Sequence, residues 1–130
     1  MEKNQRFFDA AYAVALAAPG VGGKKHNNFR LGAIIVDKQK RVVSARFNSL
    51  KTHPKLIKYF QWPYCHAEAH AIVSLGLDNC INKSLYVVRI YRNNHLALAK
   101  PCNSCLALIK AVGIVKVFYS THDGYKELQI

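Results

Sequence analysis

The order of the apolar segments is the feature of this sequence that most restricts its fold. A helical pattern comes first, two short apolar runs joined by a turn follow, and helical and β-prone segments then alternate. The segments in this order are residues 4–18, 31–37, 41–47, 66–75, 84–91, 102–112 and 114–120. Residues 125–130 are compatible with a last short strand or a helix. This α-β-β-α-β-α-β order predicts an α/β fold in which helices cover the faces of a mixed sheet.

The size and composition of the chain predict one domain with a buried core. The 130 residues have a mass of 14.6 kDa, and 51% of them are hydrophobic. No repeat or linker divides the chain, so we expect a single domain over residues 1–130. The longest apolar stretch near the N-terminus, Ala10 to Ala18, is shorter than the roughly 20 residues that cross a bilayer. With no secretion leader before it, the sequence predicts a cytoplasmic protein without a membrane partner.

The charge of the chain is strongly positive and unevenly distributed. Lys and Arg number 19 against 7 Asp and Glu, for a formal net charge of +12. Between Lys24 and Lys58, ten basic residues stand against one acidic residue, Asp37. Such a field attracts phosphate-bearing molecules, so the segment favours an anionic substrate or a nucleic acid. A solvated basic surface that only aids solubility is the alternative.

Two short motifs at the starts of the two central helical segments carry the chemistry. They are His66-Ala67-Glu68 and Pro101-Cys102-Asn103-Ser104-Cys105. Cysteines three residues apart in a first helical turn lie on the same side, and a helix N-terminus favours thiolates. With the imidazole of His66 they make three zinc ligands and leave a fourth position open, as in catalytic zinc sites. Water at that position has a pKa near 7, and Glu68 is placed to move its protons.

Other interpretations of these residues stay open. The motifs can be a chance pairing of a buried histidine with two core cysteines, or Cys-x-x-Cys can be a redox pair, which leaves His66 and Glu68 without a role. A metalloprotease motif needs Glu directly after the first His, and Ala67 intervenes. His70 is therefore predicted to be a packed or hydrogen-bonded helix residue. The remaining cysteines and histidines are predicted to be buried thiols and ordinary surface or loop residues: Cys65, Cys80, His26, His53, His95 and His122.

The His-x-Glu and Pro-Cys-x-x-Cys motifs are the signature of zinc nucleobase deaminases. From Leu31 to Ser120 the chain resembles the cytidine and deoxycytidylate deaminase superfamily, and it is most similar to the dCMP deaminase-like branch. The resemblance implies a three-layer α/β/α sandwich with a mixed five-stranded sheet, a Zn²⁺ cofactor and a homo-oligomer. It also implies that Asn48 binds a sugar, that the backbone of Ala67 contacts the base, and that Tyr119 and Ser120 close the substrate site.

The identity of the substrate is less constrained by the sequence. The tRNA adenosine deaminases usually carry Glu before the Pro-Cys, where this chain has Lys100. The resemblance therefore favours hydrolytic deamination of a small cytosine nucleotide or nucleoside, dCMP to dUMP first, with zinc-bound hydroxide as nucleophile and Glu68 as proton shuttle. One alternative is a deaminase of single-stranded nucleic acid or tRNA, in which Trp62 and its aromatic neighbours stack a base rather than fill a core or subunit contact. A non-catalytic zinc-binding module is the other, and Glu68 argues against it.

Overall fold

A computed structural model describes residues 4–18, 30–48 and 67–130, and this part of the chain contains three α-helices and six strands. In chain order they are α1 (Gln5–Ala17), β1 (Arg30–Val36), β2 (Val42–Phe47), α2 (Ala67–Leu75), β3 (Ser84–Ile90), β4 (Leu96–Ala97), α3 (Asn103–Ala111), β5 (Lys116–Thr121) and β6 (Gly124–Gln129). A short 3₁₀ turn, Leu77–Asn79, follows α2. Every predicted element within the described residues is present, with ends that differ by at most two residues.

The strands form one mixed sheet in the order β2-β1-β3-β5-β6, which confirms the predicted class. Neighbours are antiparallel except for β3 and β5, which are parallel and joined through α3. Two details differ from the sequence prediction. Residues 125–130, predicted as strand or helix, belong to strand β6, and the polar segment 92–99 contains the two-residue strand β4, which pairs with the end of β3. Strand β4, which adds a sixth strand to the five predicted, is too short to show the alternation by which a strand is recognised.

Side-chain alternation along the strands builds a separate core on each face of the sheet. On β3, Tyr86 and Val88 pack with α1, whereas Leu85 and Val87 pack with α2 and α3. The layers are therefore α1, sheet, and α2 with α3, as the α/β/α prediction requires. Helix α1 lies so close to β1 that a Cβ at Gly32 would stand 2.3 Å from a backbone oxygen of the helix, which explains a glycine inside a buried strand.

The two helices of the second layer point their N-termini to the same edge of the sheet. On α2, the Ser44 hydroxyl donates to Ala71 O at 2.8 Å, and His70 Nδ1 lies 2.8 Å from Phe47 O. The helix therefore runs antiparallel to β2 and begins near the C-terminal end of that strand. Beyond the C-terminus of α3, the carbonyl of Gly113, two residues after the helix, accepts a hydrogen bond from Asn82 N at the opposite edge. The edge of the sheet at which both α2 and α3 begin is called the site edge. It is formed by the C-terminal ends of β2, β3 and β5.

None of the helices within residues 4–18, 30–48 and 67–130 is long and apolar enough to cross a membrane.

Candidate active site

The structure brings most of the predicted site residues to the site edge. The residues so placed are Asn48 after β2, Ala67 and Glu68 in the first turn of α2, Cys102 and Cys105 at the start of α3, and Tyr119 and Ser120 near the end of β5. The predicted ligand His66 directly precedes α2 and lies outside the described residues. Five of the ten basic residues between Lys24 and Lys58 lie outside them as well, as do Cys65, His26, His53 and Trp62 with its aromatic neighbours.

Glu68 is a carboxylic acid in an almost fully buried position. Its exposed fraction is 2%, and Ala67 and Ala69 on either side are fully buried. Burial of a carboxylate is costly unless nearby groups stabilise the charge. The partial positive charge at the start of α2 contributes such stabilisation, because an acidic residue in the first turn interacts favourably with the helix dipole. A buried acid at a helix start is suited to proton transfer.

The two cysteines of the second motif occupy the beginning of α3. Cys102 is the N-cap residue, with extended backbone angles of φ −69° and ψ 169°, and its carbonyl accepts the Leu106 N–H at 2.8 Å. Cys102 is exposed, whereas Cys105 in the first turn is 1% exposed and belongs to the core beneath α2 and α3. The helix N-terminus stabilises the thiolate form that binds metals.

Cys80 provides a contrast to these two cysteines. It lies in the same core and is fully buried, as predicted, but near the end of α2 that is remote from the site edge. Its thiol donates to Gly76 O at 3.5 Å. Burial raises the pKa of Cys80, although the nearby Lys83 charge lowers it. The result is a protonated thiol at neutral pH, which is a poor metal ligand.

The residues at the site edge fit a zinc ion in the chemistry of their donors. Among the described residues no group of three His, Cys, Asp or Glu side chains is arranged to hold a metal ion, and the predicted third ligand is outside them. Two cysteines at a helix N-terminus nevertheless supply the sulfur ligands that zinc prefers. The residue that would complete this donor set, His66, is adjacent in sequence to Ala67, the first residue of α2.

Asn48 links the ends of β1 and β2 at the site edge. It is 4% exposed, and its side-chain Oδ1 accepts the Leu31 N–H at 3.0 Å. Its own N–H donates to Leu31 O at 3.3 Å. The amide is thus held in place by β1, which is suitable for a group that contacts substrate. Its binding to a sugar stays a prediction.

Ser120 stands where three strands meet. Its hydroxyl is fully buried, donates to Ala97 O at 2.7 Å and accepts the Arg89 N–H at 3.0 Å. The hydroxyl therefore connects β5 to β3 and β4 at the point where β4 takes the place of β5 beside β3. Tyr119, 8% exposed, packs in the core beneath α2 and α3. The contacts of Ser120 are structural, and a substrate role for either residue stays a prediction.

Replacing Ser120 with alanine is expected to lower the free energy of unfolding by about 1–3 kcal/mol, because it removes the partners of a buried N–H and a buried carbonyl. Thermal or urea unfolding measures the change. Ser74→Ala is the matched control, since Ser74 is exposed on α2 and should alter stability by less than about 0.5 kcal/mol. Equal effects of the two substitutions would contradict the role given to Ser120.

The sequence analysis predicted some contacts of the site edge and missed others. His70 is hydrogen-bonded within the fold, as predicted. The hydrogen bond from Ser44 to α2 was missed, as was the position of Arg89 on the face of β3 that packs with α2 and α3. Alternation along β3 was the available signal for Arg89, since Leu85, Val87 and Arg89 share one face of the strand.

Comparison with known proteins decides the family. The family model for the cytidine and deoxycytidylate deaminase zinc-binding region matches residues 1–121. The chain belongs to the cytidine and deoxycytidylate deaminase family. Its resemblance to that family, proposed from the two motifs, is confirmed.

Relatives of this deaminase-family chain agree with the assignment. A deoxycytidylate deaminase of Pongo abelii is 27% identical over 128 residues, which covers 89% of this chain and 66% of the relative. The chain therefore spans somewhat less than two thirds of the length of that relative. A dCMP deaminase from the cyanophage S-TIM5 in apo form has a TM-score of 0.62 at 18% identity, covering 91% of this chain and 82% of that chain. The cytidine deaminase of Mycobacterium leprae has a TM-score of 0.57 at 20% identity, with 92% of each chain covered. At these identities the two structures support the fold.

Proposed function

We propose that this chain catalyses the zinc-dependent hydrolytic deamination of a cytosine mononucleotide, with dCMP to dUMP as the favoured reaction. The observation that carries the proposal is the buried carboxylate of Glu68, which lies at the same sheet edge as the two cysteines of the Pro-Cys-x-x-Cys motif. Family membership supports the chemistry, since zinc nucleobase deaminases combine His and Cys ligands with a glutamate that is not a ligand.

In this proposal His66, Cys102 and Cys105 would hold the zinc, which when bound would supply the Lewis acidity that activates water. Glu68 carries out the proton transfers. The Glu68 carboxylate accepts a proton from the attacking water as the new C4–O bond forms, and it delivers that proton to ring atom N3. A second proton passes through Glu68 to the amino group, the C4–N bond breaks, and ammonia leaves. Cytosine and water thereby give uracil and ammonia.

Other site residues are proposed to orient the substrate. Asn48, held by β1, contacts the sugar, and the backbone of Ala67 at the start of α2 contacts the base. Tyr119 and Ser120 contribute to the wall of the site at the end of β5. The first turn of α2 thus places the base contact and the proton-transferring carboxylate in adjacent residues, which suits a mechanism in which both act on one ring.

A nucleotide rather than a nucleoside is favoured by charge and by relatives. The formal net charge of +12 attracts a phosphate-bearing substrate, and Lys100 directly precedes the Pro-Cys motif as an exposed cation. The curated relative is described as a deoxycytidylate deaminase. We further propose a single domain, a homo-oligomer and a cytoplasmic location; the single sheet of the described residues supports the first of these.

Ammonia release from a set of substrates tests the proposal. The zinc-loaded protein would be assayed with dCMP, cytidine, deoxycytidine, a single-stranded oligodeoxynucleotide and tRNA. We expect the highest kcat/KM with dCMP. Release of ammonia from the polymers alone would reject a free nucleotide as substrate and favour the nucleic-acid alternative. Full zinc loading without ammonia from any substrate would favour a non-catalytic zinc module.

A further inference from the structure

The segment that leads into α3 ends at the first of the two proposed cysteine ligands. Residues 97–101 run from the last residue of β4 to the residue before the N-cap Cys102, and buried and exposed residues alternate along them. Ala97 is 1% and Ala99 is 3% exposed, and Pro101 is buried as well. Alternate residues therefore face the protein interior, as in an extended chain. The position of the helix start depends on how firmly this segment is held.

Ser120 on β5 binds the segment at two points. Its hydroxyl donates to Ala97 O at 2.7 Å, and its own carbonyl accepts the Ala99 N–H at 2.9 Å. The same hydroxyl accepts the Arg89 N–H of β3 at 3.0 Å. Because Ser120 is fully buried, these bonds are made in surroundings of low dielectric constant, where they are stronger than in water. One residue thus fixes the segment to β5 and, through its hydroxyl, to β3.

The hydroxyl is needed because backbone pairing between β3 and β5 ends before this point. Their last paired residues are Val87 and Tyr119. Further along β3, Arg89 pairs with Ala97 of β4. The Oγ of Ser120 supplies the bonds that the backbone ladder no longer makes. Alanine at this position would remove the side-chain bond to Ala97 O, and the segment would then depend on its backbone bond alone.

Two residues separate the held segment from the first cysteine ligand. They are Lys100 and Pro101, and the proline ring fixes its own φ at about −65° and restricts the residue before it. A shift of Ala99 is therefore passed to Cys102 with little room for compensation. Ligand distances in metal sites are held within about 0.2 Å of their preferred values, so a small displacement of a thiolate lowers the affinity. Ligands that are held in place before the metal binds also lose less conformational freedom on binding.

We propose that Ser120 is a positioning residue for the zinc site. By fixing residues 97–99 it determines where Cys102 and Cys105 lie, and it thereby strengthens zinc binding. Groups outside the ligand set that orient the ligands contribute about 10- to 100-fold to metal affinity. This inference rests on the proposed function for the identity of the metal and its ligands, but it concerns binding of the metal and not the deamination itself.

Two variants of nearly the same shape isolate the contribution of the hydroxyl. Ser120→Thr keeps it and Ser120→Val replaces it with a methyl group, and both add one further methyl group to the buried position. The zinc Kd would be measured by competition with a chromogenic chelator for the wild type, these two variants and Ser120→Ala. Thermal unfolding of each protein in excess chelator measures the stability of the fold separately.

Cys80→Ala is the matched control for general destabilisation. Like Ser120→Ala, it removes a buried side-chain atom that donates a hydrogen bond to a backbone carbonyl, but at a position remote from the site edge. It should lower the unfolding temperature while changing the zinc Kd by less than about twofold. We expect Ser120→Ala and Ser120→Val to raise the zinc Kd about 10-fold or more, and Ser120→Thr to stay within about threefold of the wild type.

Equal zinc Kd values for Ser120→Thr and Ser120→Val would overturn the inference. An increase of the zinc Kd in Cys80→Ala that matches the increase in Ser120→Ala would overturn it too, because general destabilisation would then explain both. Wild-type protein that binds no zinc would contradict the inference and the proposed function together. If zinc binding depends on the hydroxyl while zinc-loaded protein releases no ammonia from dCMP, the inference holds and the proposed function fails. Active protein whose zinc Kd is the same with and without the hydroxyl would have the opposite meaning.

Discussion

Replacing Glu68 with glutamine is expected to lower kcat for dCMP by about 10²- to 10⁴-fold, the range that a positioned acid–base group contributes. Glutamine has the same shape as glutamate and fits the buried position, where Glu68 is 2% exposed. It cannot accept the proton of the attacking water or pass it to N3. The metal content and the Kd for dUMP should stay within about threefold of the wild-type values, because Glu68 is not a proposed ligand.

Glu127→Gln is the control for this substitution. Glu127 is exposed on β6, so the same carboxylate-to-amide change there should leave kcat unchanged. Steady-state assays of ammonia release, together with zinc analysis of each purified variant, provide the comparison. An effect of the net charge of the protein on kcat would appear with either substitution, because each removes one negative charge. Proton transfer depends on Glu68 alone. Full activity of Glu68→Gln would refute the proposed mechanism.

Replacing Cys105 with alanine is expected to remove the bound zinc and to reduce deamination to the detection limit. A three-ligand zinc site that loses one thiolate loses most of its affinity, and the reaction has no other means of activating water at neutral pH. The measurement is zinc per chain after dialysis, followed by ammonia release in the presence of added zinc. A chelator should inactivate the wild type in the same way, with recovery on addition of zinc.

Cys80→Ala is a closely matched control for Cys105→Ala. Both substitutions remove one buried thiol from the same core, at residues that are 0% and 1% exposed. The loss of packing should therefore be similar, and thermal unfolding of the metal-free proteins should show it. Only the Cys105 variant should lose zinc. Loss of zinc from both variants, or from neither, would contradict the assignment of Cys105 as a ligand.

Local sequence patterns predicted most of the elements. The β-prone residues of segment 84–91 predict a strand from Ser84, and the structure begins β3 at the same residue. The helical pattern of residues 66–75 and 102–112 predicted that each motif starts a helix, and α2 and α3 begin within one residue of the predicted positions. The placement of Glu68 and Cys105 at one edge follows from strand β3, which returns the chain from the end of α2 to the edge where α2 begins.

Features that depend on contacts between distant residues were not accessible from the sequence. Strand β4 exists because Leu96 and Ala97 pair with β3 after a turn, and two residues carry no periodicity of their own. Ser120 was predicted to contact substrate, and only the meeting of β3, β4 and β5 reveals the structural contacts of its hydroxyl. The two bonds from α2 to β2, made by Ser44 and His70, likewise depend on how the helix lies across the sheet.

The central claim is that this chain hydrolyses the amino group of a cytosine nucleotide, and product analysis in ¹⁸O-labelled water tests it most directly. Zinc-loaded protein would be incubated with dCMP, and dUMP and ammonia would be quantified by mass spectrometry and a coupled assay. The account predicts equal amounts of dUMP and ammonia, with the label at the C4 oxygen of the uracil. Unchanged dCMP in the presence of fully zinc-loaded, folded protein would contradict it.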